Sequence, residues 1–153
     1  MKKLYFVLVT ALLIFFTTGC RGARVTEDGL ELIPVTGRVT NYWRGLSLYV
    51  DPDSVTPTGA QLSTINDGPN RFSRGVALYI HQLIDGRWYH IPELIEFVWA
   101  MPLLFVEPNS VEETQVGWER RHGELAPGTY RIIREFSNGM SNATLYAIFE
   151  ITE

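Results

Sequence analysis

This chain of 153 residues lacks most of the parts from which catalysts are built. Cys20 is its one cysteine, so no disulfide can close within the chain and no Cys-x-x-Cys pair is available for redox or zinc chemistry. The Gly-x-Ser-x-Gly elbow, the His-Glu-x-x-His zinc helix and the P-loop are all missing. Lysine stops at Lys3, and every later basic residue is arginine. There is no block of like charge, no low-complexity tract and no internal repeat. With 13 basic against 17 acidic residues the chain is net acidic, so neither nucleic acid nor a flat anionic leaflet has an electrostatic hold on it. No stretch sustains a 3.6-residue apolar period, which argues against a helical core.

What is present begins at the start. Met1-Lys2-Lys3 precedes thirteen residues, Leu4 to Phe16, that are apolar except for Thr10. A membrane span needs about 20 such residues; a basic start, a short apolar run and small residues after it are the layout of a secretory signal. Thr18-Gly19-Cys20, at the end of the run, resembles the processing box of bacterial lipoproteins, with Thr17 where that box prefers leucine. The resemblance implies that residues 1–19 are removed as a signal peptide and that Cys20 is the lipid attachment site. The chain is then expected on the extracytoplasmic face of the cell membrane, held by acyl chains that contribute about 0.8 kcal/mol per buried methylene. An ordinary secretory signal with a cysteine near its end is the alternative. The remaining 134 residues would hold 11 arginines against 17 acidic residues, a balance of −6. They divide into a lipidated N-terminus and tether, 20–45, and one domain, 46–153.

Within the domain the strand signals recur. Leu46–Val50 alternates, and Ala60–Ile65, Val76–Ile84, Arg87–Ile91, Ser110–Trp118, Thr129–Phe136 and Ala143–Ile151 complete a set of about seven short strands. Asp85-Gly86 and Asn138-Gly139 are hairpin turn dipeptides. Pro34 suits an edge strand near Leu32–Val39. The set predicts an all-β sandwich, with a closed barrel as the alternative. "ELAPGTYRI", with Leu125, Pro127, Gly128 and Tyr130, looks like the tyrosine corner of such sandwiches. "LSLYVDPDSVTPTG", "DGRWY", "LAPGTYRIIREFS" and "ATLYAIFEI", in that order, resemble a bacterial immunoglobulin-like domain of short lipoproteins and surface proteins of Gram-positive bacteria. That family implies an immunoglobulin-like β-sandwich at the cell surface and has no shared catalytic residues to carry over.

Four groups of residues are candidates for function. A two-residue turn at Asp85-Gly86 makes paired positions sum to 171, so that His81 faces His90. A three-residue loop makes them sum to 170 and sets His90 against Ile80. The apolar pattern favours 171, with Val76, Leu78, Ile80, Ile84, Tyr89 and Ile91 on one face and Trp88 beside both histidines on the other. Two imidazoles can share a metal, but zinc asks for three or four ligands and no third is near in sequence. Two solvated histidines beside an exposed Trp88 is the plainer expectation. "WERRHGEL" reads as a solvated loop whose Arg120 and Arg121 suit an anion. Asp51 and Asp53 have the spacing of a calcium loop without its Gly and Glu, and read as a turn. Phe97–Val106, with Trp99 and the strand-breaking Pro102, is expected to be buried between the sheets; an exposed partner patch is the alternative.

These residues point to a membrane-anchored, non-catalytic binding or structural domain that uses no cofactor or metal and meets an envelope or extracellular protein. An inhibitor of an extracellular enzyme and a metal-dependent enzyme using His81 and His90 are the alternatives.

Overall fold

In a computed structural model of the chain, the residues described are 24–25, 31–35, 37–94 and 102–152. Cys20, Trp99 and the signal segment lie outside them. The described chain forms two antiparallel sheets packed as a sandwich, as the spacing of strand and turn signals predicts. The smaller sheet holds β3 (Tyr42–Trp43), β4 (Leu46–Val50), β5 (Gly59–Asn66) and β10 (Ser110–Gly117), in the order β10-β5-β4-β3. The larger has β12 (Asn142–Ile151) at one edge and β11 (Gly128–Ser137) beside it. Next come β7 (Tyr79–Ile84), β8 (Arg87–His90), β2 (Glu31–Pro34) and β1 (Arg24–Val25). β6 (Phe72–Arg74) shares with β7 the same edge of β11, and β9 (Leu104–Val106) pairs with β6.

Alternation decides what goes inside. Leu46, Leu48, Val50, Ala60 and Leu62 of the smaller sheet meet Ile80, Ile132, Phe136, Leu145, Ala147 and Phe149 of the larger, all buried. Trp118, fully buried, stacks on Phe149 at 5.2 Å, and Phe149 stacks on Tyr130 at 5.6 Å. The tyrosine corner expected from "ELAPGTYRI" is formed: the Tyr130 hydroxyl donates to the Ala126 carbonyl at 2.7 Å. Gln82 Nε2 donates to the same hydroxyl at 3.2 Å.

Several expectations need correction. The strand read from Val76 starts at Tyr79. Phe136 pairs with Arg74 but Tyr130 with Gln82, so the pairing of β11 slips by two residues between β6 and β7. The slack is taken up at 75–78, a local break that alternation cannot reveal. "WERRHGEL" is no open loop, because Glu119–His122 forms a helical turn, α1, with Arg121 and His122 buried. The strand expected near Leu32–Val39 does form, as β2 of the larger sheet, where Pro34 lies opposite Tyr89, and Thr40 bridges Leu145. Of Phe97–Val106, residues 97–101 lie outside the described set. Beyond Pro102, Leu103 and Phe105 are exposed while Val106 is fully buried. Asp51, Pro52 and Asp53 form the expected turn, with Asp51 Oδ1 accepting from the Asp53 amide.

Candidate functional site

The hairpin β7–β8 determines what the larger sheet shows to solvent. Asp85 (φ 48°) and Gly86 (φ 73°) both sit in the left-handed region, the requirement of a two-residue type I′ turn. His81 therefore pairs with His90 and Leu83 with Trp88, the register that sums to 171. β11 continues the row, since Arg131 pairs with His81, and β12 extends it to Ile148. On the other side Ile33 of β2 pairs with His90. One outward row thus runs Ile33, His90, His81, Arg131, Ile148 across five strands. Beside it lie Tyr79, Ile133 and Tyr146, paired in turn.

Arg131 is the centre of this face. Its guanidinium carbon lies 4.3 Å over the Trp88 ring and 5.6 Å from that of Tyr146. Its Nε donates to His81 Nδ1 at 3.1 Å. An accepting Nδ1 leaves the proton of a neutral imidazole on Nε2. The His81 pKa is lowered to about 4, by burial first and then by the Arg131 and His90 charges. His90 packs edge-on against His81, with ring centres 5.7 Å apart, and against Tyr79 at 6.1 Å. Burial lowers its pKa too, against a smaller upward pull from Glu93. The expectation of two solvated histidines is thus corrected for His81, which is buried beside Arg131 and His90. Around this packed centre Ile33 (57% exposed), Ile148 (51%) and Tyr79 (36%) remain open to solvent.

A family model described as the bacterial Ig-like domain matches residues 43–150. The chain belongs to that family. No curated protein and no solved structure matches it.

In this Ig-like domain, then, Trp88, His81 and His90 converge on one outer sheet face. Arg120 and Arg121 are elsewhere. Arg121 lies inside, where its Nη1 donates to the Leu78 carbonyl at 3.1 Å and meets Glu93 at 3.2 Å. Arg120 is exposed on the same turn of α1. His122 Nδ1 is 3.1 Å from the Pro92 carbonyl, and its pKa is lowered chiefly by burial. No group of three metal-ligating side chains occurs among the described residues. At His81 both ring nitrogens have work already, one accepting from Arg131 and the other carrying the proton.

Sequence reasoning missed Arg131, Tyr79, Tyr146 and Ile148. The signal was available: once the hairpin register is set, "TYRIIREF" and "ATLYAIFEI" alternate so that these residues share the histidines' face. A separate groove of about 620 Å³ is lined by Trp43, Leu103 and Phe136 with Arg38 and Arg74.

Proposed function

We propose that this Ig-like domain is a non-catalytic binding module, anchored to the extracytoplasmic face of the membrane by acylated Cys20. Its recognition surface is the outer face of the larger sheet, and its partner is an envelope or extracellular protein. The observation that supports this is the packing of Arg131 between Trp88 and Tyr146, ringed by exposed Ile33, Tyr79 and Ile148. Aromatic and arginine side chains held in place by their neighbours are the groups that dominate protein interfaces, because little side-chain freedom is left to lose on contact. Lys2-Lys3, the run Leu4–Phe16 and Cys20 support the anchor.

The test is crosslinking in cells that express the native protein, beside a Cys20→Ala form and a Trp88→Ala, Ile148→Asp form. A recurring protein captured by the native chain and lost with the altered face is the expected result. Capture that is unchanged by Trp88→Ala, Ile148→Asp would overturn the assignment of the face. Metabolic labelling with a fatty acid that marks Cys20→Ala as strongly as the native chain would overturn the anchor.

A further inference from the structure

The opposite flank of the sandwich holds an arrangement the binding face does not explain. Arg134 stands on the core-facing side of β11, between Ile132 and Phe136 and opposite Leu145 on β12. It is 3% exposed, and its Nε and Nη1 have no hydrogen-bond partner among the described residues. Arg74 Nε is likewise buried without a partner. Both guanidinium groups line a cleft of about 510 Å³ that opens where β6 breaks from β7, with Arg120, Arg121 and Thr114 on its other walls. Four of the eleven arginines of a net-acidic chain therefore converge on one cavity. Two of them are matched by carboxylates: Arg74 by Glu112 and Arg121 by Glu93, each at 3.2 Å. Arg134 and Arg120 have no ion pair among the described residues. Burying a charge without a partner costs several kcal/mol, and the observed fold keeps Arg134 there. Burial and the neighbouring Arg74 charge also lower its pKa to about 10, with Glu112 opposing, so it stays charged at neutral pH.

We infer that this cleft is a binding site for a phosphate-class oxyanion, held by Arg134 and Arg74 with Arg120 at the mouth. Planar guanidinium groups present paired N–H donors that match the oxygens of such an anion. Arg134, Arg74 and Arg120 are set against one carboxylate, Glu112, and the positive charge left over suits a phosphomonoester, with a charge of about −1.5 to −2 at pH 7, better than a single carboxylate. The source is either a soluble phosphomonoester or the headgroup of a phosphomonoester lipid.

The test uses the full-length protein in neutral detergent at fixed ionic strength. Inorganic phosphate is expected to raise its melting temperature well beyond acetate, and Arg134→Met to remove that difference while Arg87→Met, at an exposed arginine outside the cleft, retains it. Because phosphate salts stabilise folded proteins in general, an equal phosphate response in Arg134→Met and the native chain overturns the site. Phosphorus NMR gives a reading that does not depend on the Arg134 variant folding. Phosphate lines broadened by the native protein, and less so by exposed Arg120→Ala, support the site; sharp lines with the native protein overturn it. Titration with dihexanoyl phosphatidic acid beside inorganic phosphate separates the sources. Tighter binding of the lipid assigns a headgroup and equal binding a soluble phosphomonoester, while binding of neither overturns the proposal.

Discussion

At the scale of single residues, the histidines make the domain sensitive to acid. His81, His90 and His122 all have pKa values lowered in the fold. A lowered value means that the unfolded chain binds more protons over the interval between the two pKa values, so stability rises with pH there. For His81 the contribution is fully present above about pH 6.5 and is lost as pH falls toward about 4, at most about 3 kcal/mol. Protonation would also remove the acceptor of Arg131 Nε and set two cations side by side. Urea denaturation across this range should therefore show a slope that His81→Gln reduces. A slope unchanged by that substitution would place the acid sensitivity elsewhere. Tyr130 offers a second single-atom test. Tyr130→Phe deletes the hydroxyl that donates to Ala126 and accepts from Gln82, and leaves the ring on Phe149. The expected loss is about 1–2 kcal/mol in chemical denaturation.

At the scale of elements, the turns govern register and the strands follow. Gly86 has φ +73° and open space where a Cβ would stand, so Gly86→Ala costs only backbone strain, about 1 kcal/mol. Gly45 combines φ +93° with backbone atoms of Gly68 at 2.6 Å from a built Cβ, so Gly45→Ala must also push two loops apart. Thermal denaturation should rank Gly45→Ala well below Gly86→Ala; equal losses would mean that the 45–68 approach relaxes freely. The same contrast explains what could be read in advance. Asp85-Gly86 carries its conformation in two adjacent residues, and the His81–His90 pairing follows from it. The tyrosine corner, too, lies within nine consecutive residues. The break at 75–78 was hidden because it is a mismatch between β11 and two distant segments, and each of those segments alternates normally. Arg134 was hidden for a related reason. In "TYRIIREF" the alternation places it inward, but an arginine is read as a surface residue unless its surroundings are known. Those surroundings, Arg74 and Glu112, come from two other parts of the chain.

At the scale of the whole molecule, the two sheets are joined by charge as well as by apolar packing. Arg74 belongs to β6 of the larger sheet and Glu112 to β10 of the smaller, and their contact at 3.2 Å crosses the interface beside Arg134. A pair of this kind is a poor source of net stability, because desolvation of both ions offsets their attraction. Removing one partner is different, since it strands the other. Glu112→Gln keeps the shape and deletes the one negative charge paired with Arg74, which leaves Arg74 and Arg134 facing each other. The expected cost is about 2–3 kcal/mol, below that of a fully buried pair because Glu112 is partly solvated. The double change Arg74→Met, Glu112→Leu removes both charges together and should recover most of that loss in urea denaturation. If the double variant is as weak as Glu112→Gln, the Arg74–Glu112 contact holds the sheets by its own attraction, and the cleft beside it is a strut. If it recovers, the domain would fold well without these charges, and their retention in the cleft points to a ligand.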